Sequence, residues 1–380
     1  MSFKDLFIQY DWDKIKAEIY MKNASHVEAA LSKTGPRGLQ DLMALLSPAA
    51  APFIEQMAVL SHELTQKRFG KTLQMYIPLY LSNKCSNNCL YCGFRNKNRI
   101  KRITLTMDQI MDEVRVIKSY GFDHVLLVTG ESKKDAGVEY LEDVLRLIRP
   151  FFSHISMEVQ PMEQEDYERL IKLGLNTVLV YQETYGKKYH EFHPGGMKSN
   201  FYYRLDTPDR IGSAGIHKIG LGVLLGLDDW RADSWFTGLH LNYLKKRYWK
   251  TRYSVSFPRL RPATGVIEPR VIVSDRELAQ MICAYRIFDE NLELSISTRE
   301  CVRFRDNSIK IGITSISAGS KTEPGGYTTN TCELEQFEIN DSRSPDDIAS
   351  MISSSGYEAV WKDWDINYGT PGQIKDSNSP

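Results

Sequence analysis

Cys85, Cys89 and Cys92 stand within eight residues, in Cys85-Ser-Asn-Asn-Cys89-Leu-Tyr-Cys92. This C-x3-C-x2-C spacing puts three thiolates on one short loop, and thiolates ligate both iron–sulfur clusters and zinc. The count separates the two. A [4Fe–4S] cluster has four irons, so three ligating cysteines leave one iron open to another ligand. A structural zinc site instead closes its tetrahedron with four protein side chains. The nearest histidines are His62 and His124, and Cys283, Cys301 and Cys332 lie far downstream. A non-catalytic zinc protein, its fourth ligand distant in sequence, is the competing reading.

Other polar residues gain meaning from the elements that carry them. Residues 1–70 read as a helical N-terminal extension, with apolar periodicity through Trp12–Tyr20 and Phe53–Leu64. From residue 71, short β-rich runs alternate with amphipathic helices. The expected strands are Tyr76–Leu81, His124–Val128, Ile155–Val159, Thr177–Tyr181, Lys218–Leu224, Ser254–Pro258, Glu293–Ser297 and Ile313–Ser317. Thr106-x-x-Gln109 and Ser274-x-x-Glu277 look like capping boxes opening two of the helices. The pattern predicts an α/β fold, a (β/α)8 TIM-type barrel over 71–318. Residues 319–380 lose the repeat and read as an irregular C-terminal extension packed on the barrel, ending in a mobile tail.

Functional residues of such barrels sit on the loops after the strands. The cysteine loop follows the first strand, and Thr129-Gly130-Glu131 follows the second. Glu158 and Glu183 end the third and fourth, as structural partners or as acceptors for a ligand such as a ribose. His190 and His193 lack an acidic third ligand and read as hydrogen-bonding loop residues. Lys+Arg 48 balances Asp+Glu 48, so no global field points to nucleic acid. No apolar run is long enough to span a membrane. Six cysteines, three of them clustered, fit a reducing cytoplasm better than a disulfide framework.

The cysteine motif, with Tyr91 before its third cysteine, resembles that of the radical S-adenosylmethionine (SAM) enzymes. The resemblance implies a [4Fe–4S] cluster on Cys85, Cys89 and Cys92, with SAM chelated to the open iron. It implies that Gly130 and Glu131 bind the SAM ammonium, although Thr129 replaces the motif's first glycine. Arg204 matches an arginine that holds the SAM carboxylate. Gly222-Val-Leu224-Leu-Gly226-Leu-Asp-Asp229 resembles the segment passing the adenine, with Leu224 and Asp229 in place of Ile and Glu.

Ser295-Ile-Ser297-Thr-Arg299-Glu resembles the aromatic-amino-acid lyases of that superfamily, in which a serine and an arginine hold the substrate carboxylate; these map onto Ser297 and Arg299. The blocks around Ser256–Pro262, Gly319–Tyr327 and Gln336–Ser344 are similar to the 2-iminoacetate synthases of thiamine biosynthesis. That likeness implies cleavage of L-tyrosine at Cα–Cβ, giving dehydroglycine and p-cresol, with thiazole synthase as partner and a flavodoxin-type reductant. A lyase acting on tryptophan or another amine is the nearest alternative. Hydrogenase maturation, which needs a second cluster on three further C-terminal cysteines, is disfavoured because only Cys332 follows Cys301.

Overall fold

The computed structural model describes residues 2–263, 265–329 and 335–362. Eight parallel strands close into a barrel: β1 (Thr72–Ser82), β2 (His124–Thr129), β3 (His154–Glu158), β4 (Thr177–Glu183), β5 (Lys218–Val223), β6 (Arg252–Ser256), β7 (Glu293–Ile296) and β8 (Ser315–Ser317). Each pairs with the next, and β1 closes the circle through Gln74–Tyr76 on β8 and Ile77–Ser82 on β2. All six residues of β2 and all six of β5 are buried, as expected of parallel strands lined inside and covered outside by helices. Both expected capping boxes are present, opening helices Met107–Ser119 and Asp275–Phe288.

The N-terminal extension is helical and wraps two of the outer helices. Gln280 Nε2 donates to the Leu45 and Ser47 carbonyls at 2.8 and 2.9 Å, and Arg231 donates to the Leu46 carbonyl at 2.7 Å. Helix Trp230–Arg247 is therefore covered by the barrel on one side and by the extension on the other, and even its Asp233 and His240 are buried. Asp229, expected near the adenine, instead caps this helix and accepts from Tyr20 Oη at 2.7 Å.

The C-terminal extension has more order than its composition suggests. Helix Pro345–Ser354 is followed by β9 (Glu358–Val360), which adds to the edge of β1 at Thr72–Gln74. Trp361 packs edge-on against Phe122, so at least this tryptophan serves packing. The expected mobile tail, Trp364 and Cys332 lie outside the described residues. Among the described residues no single helix is long and apolar enough to cross a membrane.

Candidate active site

The cysteine loop leaves β1 at Ser82 and is bound down by its own asparagines. Asn83 accepts from Ile103 N at 2.8 Å and donates to the Lys101 carbonyl at 2.8 Å. Asn87 accepts from Lys198 N at 3.0 Å and donates to Glu131 Oε2 at 2.7 Å. Two glycines make this close packing possible. A Cβ on Gly130 would lie 2.3 Å from the Lys84 carbonyl oxygen, and one on Gly196 (φ +82°) 2.3 Å from Asn87 Oδ1. Gly130 therefore positions the cysteine loop against β2.

Cys85, Cys89 and Cys92 all line one cavity at the C-terminal mouth of the barrel. Burial pushes their thiols up, to about 11, 12 and 11, so iron must displace their protons. Among the described residues no three His, Cys, Asp or Glu side chains converge as a single metal ion requires. Three thiols around one cavity, with no fourth cysteine and no histidine lining it among the described residues, suit a multi-iron cluster with an open corner better than a tetrahedral zinc ion.

The same cavity is lined by Tyr91, Gly130, Glu131, Glu158, Glu183, Arg204, Leu224, Ser297 and Arg299, so the strand ends bring these sequence-derived site residues together. Arg204 meets Glu131 at 2.9 Å and donates through Nε to the Tyr181 carbonyl at 2.7 Å. Burial acts to raise the Glu131 pKa, but Arg204 and Lys198 outweigh it and hold the carboxyl below its ordinary value. Burial likewise disfavours the charged form of Arg204, yet Glu131, Tyr189 and Glu183 keep it firmly protonated. A carboxylate beside a guanidinium complements an amino-acid zwitterion, each able to exchange its internal partner for one end of the ligand.

Lys198 had no signal in the sequence. It is buried in the loop after β4, and its Nζ donates to Glu183 Oε1 at 2.6 Å. Glu183 adopts a left-handed conformation (φ 69°) at a register shift between β4 and β5, which turns its carboxylate toward Lys198 and Arg204. Such a backbone state is uncommon for a residue with a Cβ and costs about 1–3 kcal/mol. Glu158 differs. Burial, then Glu183, push its carboxyl up to about 7, and no hydrogen-bond partner reaches it among the described residues. His193 donates from Nδ1 to the Tyr189 carbonyl at 2.6 Å, which fixes Nε2 as acceptor for the Tyr91 hydroxyl at 2.8 Å. It is a bracing residue, as expected.

Arg299 lies with its guanidinium carbon 3.3 Å from the centre of the Phe337 ring. Its backbone N–H bonds Ser297 Oγ at 3.4 Å, and its side chain has no hydrogen-bond partner among the described residues. Thr129 Oγ1 and Ser320 Oγ are also buried there without partners. Unpartnered polar groups that line a cavity are available to hydrogen-bond a ligand there. Arg259, in the loop after β6, is tied to Glu300 and Asp275. The cavity floor carries Tyr76, Tyr80 and Tyr181, whose identity as lining residues was not legible in the chain. Ser320, Thr322, Gln336 and Phe337 come from the C-terminal extension, so that region builds the site as well as packing on the barrel.

Residues 79–234 match the radical SAM superfamily, and residues 256–358 match the biotin and thiamin synthesis associated domain. The chain is 50% identical to 2-iminoacetate synthase of Escherichia coli (strain K12), over 98% of this chain and 99% of that protein. It is 49% identical to the Salmonella typhimurium protein of the same name, over 98% and 100%. Among solved structures it is similar to the FeFe-hydrogenase maturase HydG from Carboxydothermus hydrogenoformans. That match has a TM-score of 0.87 at 30% identity, over 94% of this chain and 84% of that one.

Proposed function

The chain belongs to the 2-iminoacetate synthase family within the radical SAM superfamily, and from that membership we propose how its own residues carry the reaction. The activity is cleavage of the Cα–Cβ bond of L-tyrosine to 2-iminoacetate and p-cresol, serving the thiazole moiety of thiamine. When bound, the [4Fe–4S] cluster and SAM together supply a carbon-centred radical able to take hydrogen from the substrate amine.

The chain's part is to hold, orient and enclose. Cys85, Cys89 and Cys92 hold three irons. Glu131 takes the SAM ammonium and Arg204 its carboxylate, a reading supported by their mutual pairing at 2.9 Å. Glu158 and Glu183 face the ribose hydroxyls. Leu224, in an apolar cluster with Cys89, Tyr91 and Leu227, provides the surface for the adenine. Arg299 and Ser297 fix the tyrosine carboxylate and so aim its amine; a misplacement of about 1 Å can cost about a hundredfold in rate.

The observation that carries this reading is the placing of three cysteines, the Glu131–Arg204 pair and an unpaired Arg299 around one cavity. The product imine hydrolyses in water, which supports direct hand-over to a thiazole synthase as protein partner. A low-potential carrier of the flavodoxin type supplies the electron.

The test is anaerobic reconstitution with iron and sulfide, followed by one turnover with SAM and tyrosine. A brown protein that forms p-cresol is expected. A colourless protein holding zinc, or 3-methylindole from tryptophan with no p-cresol from tyrosine, would overturn the reading.

A further inference from the structure

Between Glu63 and Asp108 the chain carries no acidic residue, yet Lys84, Arg95, Lys97, Arg99, Lys101 and Arg102 crowd into residues 84–102. Because the whole chain is formally neutral, this is a local excess, and it coincides with the three cysteines.

The structure fastens the basic segment to the cysteine loop. Arg95 N donates to the Cys92 carbonyl at 3.1 Å, and Asn96 N to the Asn87 carbonyl at 2.7 Å. Asn98 Nδ2 reaches the Gly93 carbonyl at 2.9 Å, and Lys97 N reaches Asn88 Oδ1 at 3.2 Å. Three of the six cations are engaged within the protein. Arg102 spans the Asn83 and Phe94 carbonyls, both at 2.7 Å, while Arg95 donates to the Gly265 carbonyl at 3.0 Å. Lys84 pairs with Asp135 at 2.8 Å. Lys97, Arg99 and Lys101 alternate along the segment and are exposed. None of the three has an ion-pair partner among the described residues.

We propose that Lys97, Arg99 and Lys101 form the docking face for an acidic one-electron carrier protein, which passes its electron to the cluster through the adjoining cysteine loop. The proposal rests on the radical SAM reading of the site. One electron leaves the carrier and one enters the cluster; no bond forms or breaks. Electron transfer weakens steeply with distance, so a carrier has to seat where the cluster's own loop meets solvent. Here the loop meets solvent through three cations held on a hydrogen-bonded frame. Such a surface steers an acidic partner, raising association rates about 10- to 1,000-fold at low salt. Its aromatic residues, Tyr91 and Phe94, are buried, so neither stacks on bases in the way that proteins tracking single-stranded nucleic acid require.

The test uses reconstituted protein and the triple charge reversal K97E/R99E/K101E. Two quantities are read: the affinity for purified flavodoxin by fluorescence anisotropy, and the second-order rate of cluster reduction by reduced flavodoxin. At about 0.05 M salt both should fall at least tenfold. The gap from wild type should close at about 0.5 M, where screening acts within about 4 Å. Dithionite-driven p-cresol formation should be unchanged, because none of the three residues lines the cavity. The set K97Q/R99Q/K101Q carries the same test with a smaller loss if charge reversal lowers cluster loading. Wild-type affinity and rate in either set at low salt would overturn the proposal, as would preferential binding of an RNA oligomer at this face. Failure of wild type to form p-cresol with dithionite would instead count against the enzyme reading, while the binding measurement would still decide the docking face.

Discussion

Arg299→Ala removes a cavity-lining guanidinium that has no hydrogen-bond partner among the described residues, and its consequences can be worked from the geometry. The side chain stacks on Phe337 and has no ion-pair partner among the described residues, so truncation breaks no salt bridge there. It also relieves a cation whose pKa burial pushes down. The fold loses a cation–π contact of about 2 kcal/mol, and the thermal midpoint should move by only a few degrees. Tyrosine binding loses much more. Two charge-assisted bonds to its carboxylate are worth about 2–5 kcal/mol in a desolvated site. At about 1.4 kcal/mol per tenfold, the dissociation constant should rise roughly 30-fold to a few thousand-fold. Arg299→Lys keeps the charge without the planar fork and should fall between. Anaerobic equilibrium binding of tyrosine, with iron content measured on the same sample, gives the answer. A dissociation constant within twofold of wild type, at unchanged cluster loading, would refute the assigned role.

Two further outcomes follow from packing and burial. Gly130→Ala places a methyl group 2.3 Å from the Lys84 carbonyl oxygen, and rigid backbone cannot yield cheaply; iron bound per chain should drop well below wild type while circular dichroism stays native, and full cluster loading would contradict the account. Asp233 takes donors from Trp12, Thr184 and Tyr185 all on Oδ1, and burial pushes its carboxyl up from 3.8 to about 7. A folded pKa above the unfolded one means stability present below about pH 4 and lost as pH rises through 7, at up to about 1.4 kcal/mol per pH unit. Asp233→Asn keeps the Oδ1 acceptor and cannot ionise, so its advantage over wild type in thermal midpoint should grow from pH 5 to 7 and then level off; a constant difference would refute the burial argument.

The barrel and its chemistry were legible to different degrees, for physical reasons. All eight strands were readable because a parallel strand must be apolar along most of its length, and because two of the helices between them open with capping boxes. Their ends were less so. β1 begins four residues early because it supplies edges to β8, β2 and β9 in turn. The ordered helix and strand of the C-terminal extension escaped notice because they repeat nothing and draw their stability from contact with the barrel. The three cysteines announced themselves through spacing, and Glu131 through the resemblance of its segment to a family motif that follows a strand. Lys198 did not: a lysine in a polar loop reads as solvated, and only its burial against Glu183 marks it.

By itself, the order of residues determined which groups are available and where along each βα unit they fall. Ligand count and strand-end position are local properties, written in spacing and periodicity. Barrel closure decided the rest, because it sets which distant groups share a cavity and which are spent on each other. It pairs Arg204 with Glu131, ties Arg259 to Glu300, lays Arg299 on Phe337, and brings Gln336 and Phe337 from the far end of the chain to the cysteines. Those outcomes depend on desolvation and distance in three dimensions, which no linear spacing encodes.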